Sequence, residues 1–368
     1  MASSSSPAWD RVSPAARLLD WGAASSVGRR LAIGGPSLSP IERARLAEDF
    51  SEVVEEAEDL ITGYTGLTVN GYRSRAWVQS RPEWIDANLR AFQRVLGPFA
   101  ERLASKRPDG ALAGVRRTVL GGQLGALTGY LSRKVLGQYD LFLPPDDDGM
   151  LYFVSQNVAA IERRHGFPPR DFRLWIALHE VGHRVQFGAV PWLRGELWTM
   201  IDEYLSSMEL DPKRLLESLR RAVEEARRSR EWRGLGILFL LMTPEQRETF
   251  RRMQATMSLL EGHANHLMNA LSEGKVREAA RMRRTLKERR EQRTGVEKAF
   301  QRAIGFDTKA AQYASGERFV NRVVERAGME AFNRVWERRE NLPTLAEIAR
   351  PDDWLARVGG APGGSEEG

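Results

Sequence analysis

His179, Glu180 and His183 stand in the run LWIALHEVGHRVQFGAVPWL, residues 174–193. The chain holds only five histidines, so two of them four positions apart in an apolar, helix-forming segment need a reason. Residues i and i+4 of an α-helix share a face, and both imidazoles can therefore present nitrogens to one point, with Glu180 beside it. This is the H-E-x-x-H arrangement, in which two histidines hold Zn²⁺ and the glutamate takes a proton from water that the metal has acidified. Trp175, Ile176, Leu178, Val181 and Val185 would bury such a helix, and Gly182 would leave room beside the metal. The plainer reading is a pair of core histidines satisfied by backbone carbonyls.

The chain has no cysteine. That removes disulfides, iron–sulfur clusters and thiolate zinc sites, so any metal must be held by His, Asp or Glu. A catalytic zinc site needs a third protein ligand and an open position. Two carboxylates qualify. Glu203 lies twenty residues after His183, in MIDEYLSSMEL, and Glu261 interrupts the apolar stripe of MQATMSLLEGHANHLMNAL. Between Leu259, Leu260, Gly262 and Ala264, a carboxylate would be costly to bury unless paired or metal-bound, which favours Glu261. On a helix through Glu261, residue 263 is turned about 200° away and residue 265 about 40°. His263 is therefore expected to face elsewhere, while Asn265 faces the metal side and could orient His179 or His183. His165, in RRHGFPP, is expected in a solvated loop.

These residues need elements to position them, and the pattern is mostly helical. Helices are expected over Ala15–Leu31, from Pro40 with Ser39 as N-cap, over 82–104, over 212–232 and over 244–272. The segment VLGGQLGALTGYLSRKVLG, with Gly121, Gly122, Gly125 and Gly129, predicts a helix packed closely on another backbone. QYDLFLPP and GMLYFVS alternate around DDDG and predict a β-hairpin turning at Asp146–Gly149, a solvated turn and not a calcium loop. Pro191, Trp192 and Trp198 suggest a Trp-rich turn after the histidine pair. The fold class is thus mainly α (α+β), a small hairpin or sheet lying beside the motif helix. The domain plan is a frayed 1–12, a helical region 13–137, a catalytic region 138–358 and a frayed tail 359–368.

At 368 residues, 42% hydrophobic and 28% charged, the chain can bury a large core. The N-terminus has neither a basic n-region nor an apolar h-region, and LGILFLLM at 235–242 is too short to span a bilayer. A soluble, cytoplasmic protein is expected. Arginine outnumbers lysine as in a GC-rich bacterial genome, so the formal charge of +6 says little about nucleic acid. The basic run 275–293 has no interleaved aromatics and reads as a solvated helix.

In DWGAASSVGRRL, TGL, VLGQYD, FRLWIALHEVGHRVQF, PWL, MSLLEGHANHLM, DTKAAQYASGERFV and LPTLAEIARPDDWLARV the chain resembles the bacterial zincin-like metallopeptidases of type 2, over roughly residues 19–358. That family is often labelled as associated with biosynthesis of a deazaflavin coenzyme, a context on which no residue here bears. The resemblance implies a metallopeptidase-like fold with His179, Glu180 and His183 on the motif helix and Glu261 as third ligand. It draws attention to Tyr313, in KAAQYASGERF, whose phenol could donate to the oxyanion, with Lys309 a weaker option and helix packing the plainer role. In zincins an edge strand beside the motif helix pairs with substrate backbone, and MLYFVS is the strand expected to do so. The expected function is hydrolysis of a peptide or other amide bond in a peptide or protein substrate. The alternative is a zinc-stabilised helical protein that holds a partner without catalysis.

Overall fold

The computed structural model describes residues 18–69, 71–106, 113–140, 150–207, 242–291 and 309–359. By contact the chain forms two compact units, residues 1–57 with 71–180, and residues 58–70 with 181–368. The described residues are mostly helical, with one three-stranded sheet.

The first unit contains α1 (Trp21–Leu31), most of α2 (Pro40–Thr65), α3 (Arg81–Lys106), α4 (Ala113–Ser132), α5 (Ser155–His165) and the start of α6 (Pro169–Ala189). Helix α1 begins later than the periodicity suggests because Asp20 caps it, accepting from the Ala23 N–H at 2.8 Å. Ser39 and Glu42 form a reciprocal capping box at the start of α2. The glycines of α4 do what their spacing predicts. A Cβ on Gly121 would lie 2.2 Å from the Asp20 carbonyl oxygen, and one on Gly125 would lie 2.3 Å from that of Ala24, so α1 and α4 meet backbone to backbone.

The sheet consists of β1 (Arg75–Gln79), β2 (Gly137–Tyr139) and β3 (Met150–Val154) in the order β1-β3-β2. Strands β2 and β3 pair antiparallel, Gln138 opposite Tyr152, as the predicted hairpin requires. The predicted turn at Asp146–Gly149 lies outside the described residues. Strand β1 pairs parallel to β3, Trp77 opposite Tyr152. This corrects the expectation that MLYFVS is a substrate-pairing edge: β3 is hydrogen-bonded on both sides, and the edges belong to β1 and β2. Its Leu151, Phe153 and Val154 are fully buried, and the Phe153 ring stacks on Phe50 at 3.9 Å. His165 also departs from expectation. It ends α5 and is half-buried, its ring stacked on Phe167, because the helix stops only at the left-handed Gly166.

The second unit contains the rest of α6, then α7 (Pro191–Ser206), α8 (Pro244–Ser272), α9 (Ala279–Glu291), α10 (Lys309–Asn333), α11 (Leu345–Ala349) and α12 (Pro351–Gly359). The predicted Trp-rich turn is instead helix α7, with Pro191 in its first turn, where a missing N–H costs nothing. Trp192 donates from its indole to the Trp336 carbonyl at 3.0 Å. Thr243 and Gln246 cap α8 reciprocally, which sets its start at the predicted residue. Helices α8 and α10 cross at two glycines. A Cβ on Gly262 would lie 2.3 Å from the Gly316 carbonyl carbon, and one on Gly316 would lie 1.9 Å from the Ser258 carbonyl oxygen. Among its described side chains, helix α9 buries only Met282 and Leu286 and exposes most of the charges, the solvated face expected of the basic run. The predicted helix at 212–232 lies outside the described residues.

The conspicuous C-terminal run LPTLAEIARPDDWLARV is a structural clasp. Glu347 completes a capping box with Thr344 and receives the guanidinium of Arg357 on both oxygens, at 2.5 and 3.1 Å. The indole of the fully buried Trp354 donates to the Asn341 carbonyl at 2.7 Å. Burial pushes the Glu347 carboxyl up, but the bonds from Arg357 and Thr344 outweigh it and leave the group below its ordinary value of 4.5. A depressed carboxyl contributes stability that is present above its unfolded pKa and is lost as pH falls through the folded one. Glu347→Gln is thus expected to destabilise the protein by about 1–3 kcal/mol at pH 7, as loss of charge-assisted hydrogen bonds implies. The gap to wild type should close below the folded pKa; urea unfolding across a pH series reads both. A gap that persists unchanged at low pH would refute the assignment.

Candidate metal centre

Helix α6 is buried along most of its length, with Leu174, Trp175, Ile176, Leu178, Val181 and Val185 each at most 5% exposed. Between residues 174 and 187 the half-buried exceptions are His179 and His183, one turn apart. Glu261 on α8 supplies a carboxylate, and one ligand atom from each of the three residues lies within 4.8 Å of the others. No other group of three or more His, Cys, Asp or Glu residues among those described could hold a metal ion. The His183 Nε2 and the nearer Glu261 oxygen are 3.8 Å apart, too far for a hydrogen bond. That gap is near the roughly 3.4 Å between two ligands of a tetrahedral zinc. Two imidazoles and one carboxylate are the donor set of open, catalytic zinc sites, so the residues present fit the metal.

Glu261 is less buried than its neighbours in sequence suggest. A quarter of its side chain is exposed to solvent. Glu203 is not part of this group; it is exposed and ion-paired at 3.3 Å with Arg252, which also holds Glu196 at 2.8 Å. Gly182 has a different role from the one its position suggests. It faces Ala264 and Leu267 of α8, where an added Cβ would make ordinary contacts at 3.5 Å, so it is a packing residue.

Glu180 is 8% exposed and is held from the sheet. Its Oε2 accepts the backbone N–H of Tyr139 at 3.1 Å, and a Cβ on Gly137 would lie 2.6 Å from its Cγ. The run VLGQYD thereby acquires a physical meaning: β2 carries a glycine where the Glu180 side chain passes and an N–H where its carboxylate ends.

The partner of His183 is Gln186, not Asn265. The Gln186 Oε1 lies 3.0 Å from His183 Nδ1, and its Nε2 lies 2.9 Å from the Leu260 carbonyl and 3.0 Å from His263 Nδ1. Gln186 is fully buried in VGHRVQF. An amide three residues after a histidine on a buried helix is the signal that would have found it. His263 faces away from Glu261 as its angular position predicts. It is fully buried between the rings of Phe332 and Trp336, at 5.0 and 5.4 Å. Burial first, then the neighbouring His266 and His183, hold its pKa well below the ordinary histidine value, so it is neutral. His266 bonds to Tyr64 Oη at 3.1 Å and to Asn321 Oδ1 at 2.6 Å; burial lowers its pKa against the opposing pull of Asn321 and Glu317. Tyr313 and Lys309 fall in the first turns of α10, and their side chains lie outside those described.

Over residues 19–355 the chain matches the model of the zincin-like metallopeptidase family. The chain belongs to that family. A Chloroflexus aurantiacus protein of known crystal structure, described as a candidate hydrolase with a novel fold, is 34% identical to it. The two superpose with a TM-score of 0.70, over 94% of this chain and 100% of the other. Among curated proteins no relative is found. Membership gives the motif its zincin-like family setting, and His179, His183 and Glu261 form a group that could bind metal. No helix among the described residues is long and apolar enough to cross a membrane.

Proposed function

We propose that the protein is a zinc-dependent hydrolase of peptide or other amide bonds, with His179, His183 and Glu261 as ligands and Glu180 as general base. The observation that carries this reading is the division of labour within one helical turn. His179 and His183 share a ligand group with Glu261, while Glu180, between them in sequence, is held by Tyr139 instead. A purely structural metal site has no use for such a carboxylate. When bound, zinc would supply Lewis-acid chemistry, acidifying water and polarising a carbonyl. The remaining steps belong to the chain. Held at Oε2 by the Tyr139 N–H, the Glu180 carboxylate takes the proton during attack and returns it to the leaving amine. Strand β2 is a sheet edge beside Glu180 and takes over the substrate-pairing role first expected of β3. Tyr313 is the proposed donor to the oxyanion.

A peptide library read for new amine ends by mass spectrometry tests the reaction class. Zinc-loaded wild type is expected to cleave, to stop when a chelator is added and to resume when zinc is restored. Zinc-loaded protein that cleaves nothing would favour the scaffold alternative.

A further inference from the structure

The amide of Gln186 joins two histidines that serve different ends, and its orientation can be deduced. Of its three neighbours, the Leu260 carbonyl oxygen can only accept, so the amide nitrogen must point toward it, at 2.9 Å. The same nitrogen's second hydrogen then reaches His263 Nδ1 at 3.0 Å, which must present a lone pair. The amide oxygen is left facing His183 Nδ1 at 3.0 Å, and this nitrogen must carry the hydrogen. One buried side chain thereby imposes opposite tautomers on two rings. His183 is protonated on Nδ1 and offers Nε2, the nitrogen that faces Glu261. His263 is protonated on Nε2, which is buried without a hydrogen-bond partner and packed among the Phe332 and Trp336 rings. Leaving that N–H without a partner costs free energy. The fold accepts this cost where it fixes the amide.

We infer that Gln186 is a positioning residue for the metal centre: anchored by Leu260 and His263, it locks His183 in the tautomer and ring orientation that present Nε2 to the ion. The inference rests on the reading of His183 as a ligand and adds what holds it. Outer partners of metal-bound histidines orient the ring and raise its basicity, and their loss typically costs about 10–100-fold in metal affinity. In many sites that partner is a carboxylate; here a neutral amide fills the place, pinned from behind by a carbonyl and a second imidazole.

Zinc affinity by chelator competition, measured on wild type, His183→Ala and Gln186→Leu, separates the two layers of the argument. Gln186→Leu is expected to bind zinc about 10–100-fold more weakly, with His183→Ala weaker still. Unchanged affinity in Gln186→Leu beside a large loss in His183→Ala would overturn the role of Gln186 and leave the metal reading standing. Unchanged affinity in His183→Ala would overturn the metal reading and this inference with it. A second measurement holds even where Gln186→Leu does not fold. In zinc-loaded wild type labelled with ¹⁵N-histidine, five side chains in all, His183 should show a protonated Nδ1 and His263 a protonated Nε2. A protonated Nε2 on His183 would overturn the inference. Where the variant folds, its His183 Nδ1–H should exchange faster with solvent than in wild type, a change that a packing role for Gln186 would not produce.

Discussion

Glu180→Gln is expected to keep its zinc and its fold and to lose about 10²–10⁴-fold in turnover, the range that general-base catalysis supplies. The substitution keeps the size and shape of a side chain that has little room to move, being 8% exposed and passing Gly137 closely. The amide oxygen can still accept the Tyr139 N–H, so the side chain stays where the carboxylate was. What the variant lacks is basicity. An amide cannot take the proton that attack by water releases, and the barrier rises although every distance is kept. The comparison needs kcat/KM for one peptide cleaved by wild type, zinc stoichiometry for both proteins and a thermal melt. Equal turnover with zinc bound in both would exclude Glu180 as the base.

Glu261→Ala should strip the protein of zinc under conditions in which Glu203→Ala retains it fully. The two carboxylates differ in surroundings and not in chemistry. Glu261 shares a site with two imidazoles. Glu203 lies on an exposed surface beside Arg252, where an ion pair contributes about 0–1 kcal/mol and its removal disturbs nothing else. Losing a ligand should weaken binding by more than the roughly 10–100-fold that follows loss of an outer partner. Metal analysis after dialysis against a weak chelator distinguishes the two variants, and zinc loss in Glu203→Ala alone would transfer the third-ligand role.

The motif helix and its partner were legible because their signals are local. The four-residue spacing of His179 and His183 dictates a shared face, and the apolar register around Glu261 singles out the carboxylate that the fold brings into their group. The same holds for the cap at Ser39 and for the glycines of α4, whose period matches the backbone they touch. What escaped depends on pairing across the chain. Strand β1 is a five-residue run, RAWVQ, whose place is set by parallel bonding to β3, and nothing within it announces that partner. Without β1, β3 looked like an edge. The segment around Trp192 has turn-like residues, yet Pro191 opens a helix there, and the indole of Trp192 donates to the Trp336 carbonyl. Angular position relative to Glu261 on α8 points to Asn265 and not to Gln186. The histidine needing support lies on α6, and its own third successor supplies it. The role of Gly137 was likewise hidden, since only the folded chain brings β2 against Glu180.

Crystals of the protein grown with zinc, with anomalous diffraction recorded on both sides of the zinc edge, test the central claim most directly. The account predicts a single zinc peak within about 2.3 Å of one nitrogen of His179, Nε2 of His183 and a carboxylate oxygen of Glu261, the bond lengths zinc makes to such ligands. A peak bound elsewhere, or none at these three residues in zinc-saturated crystals, would contradict it.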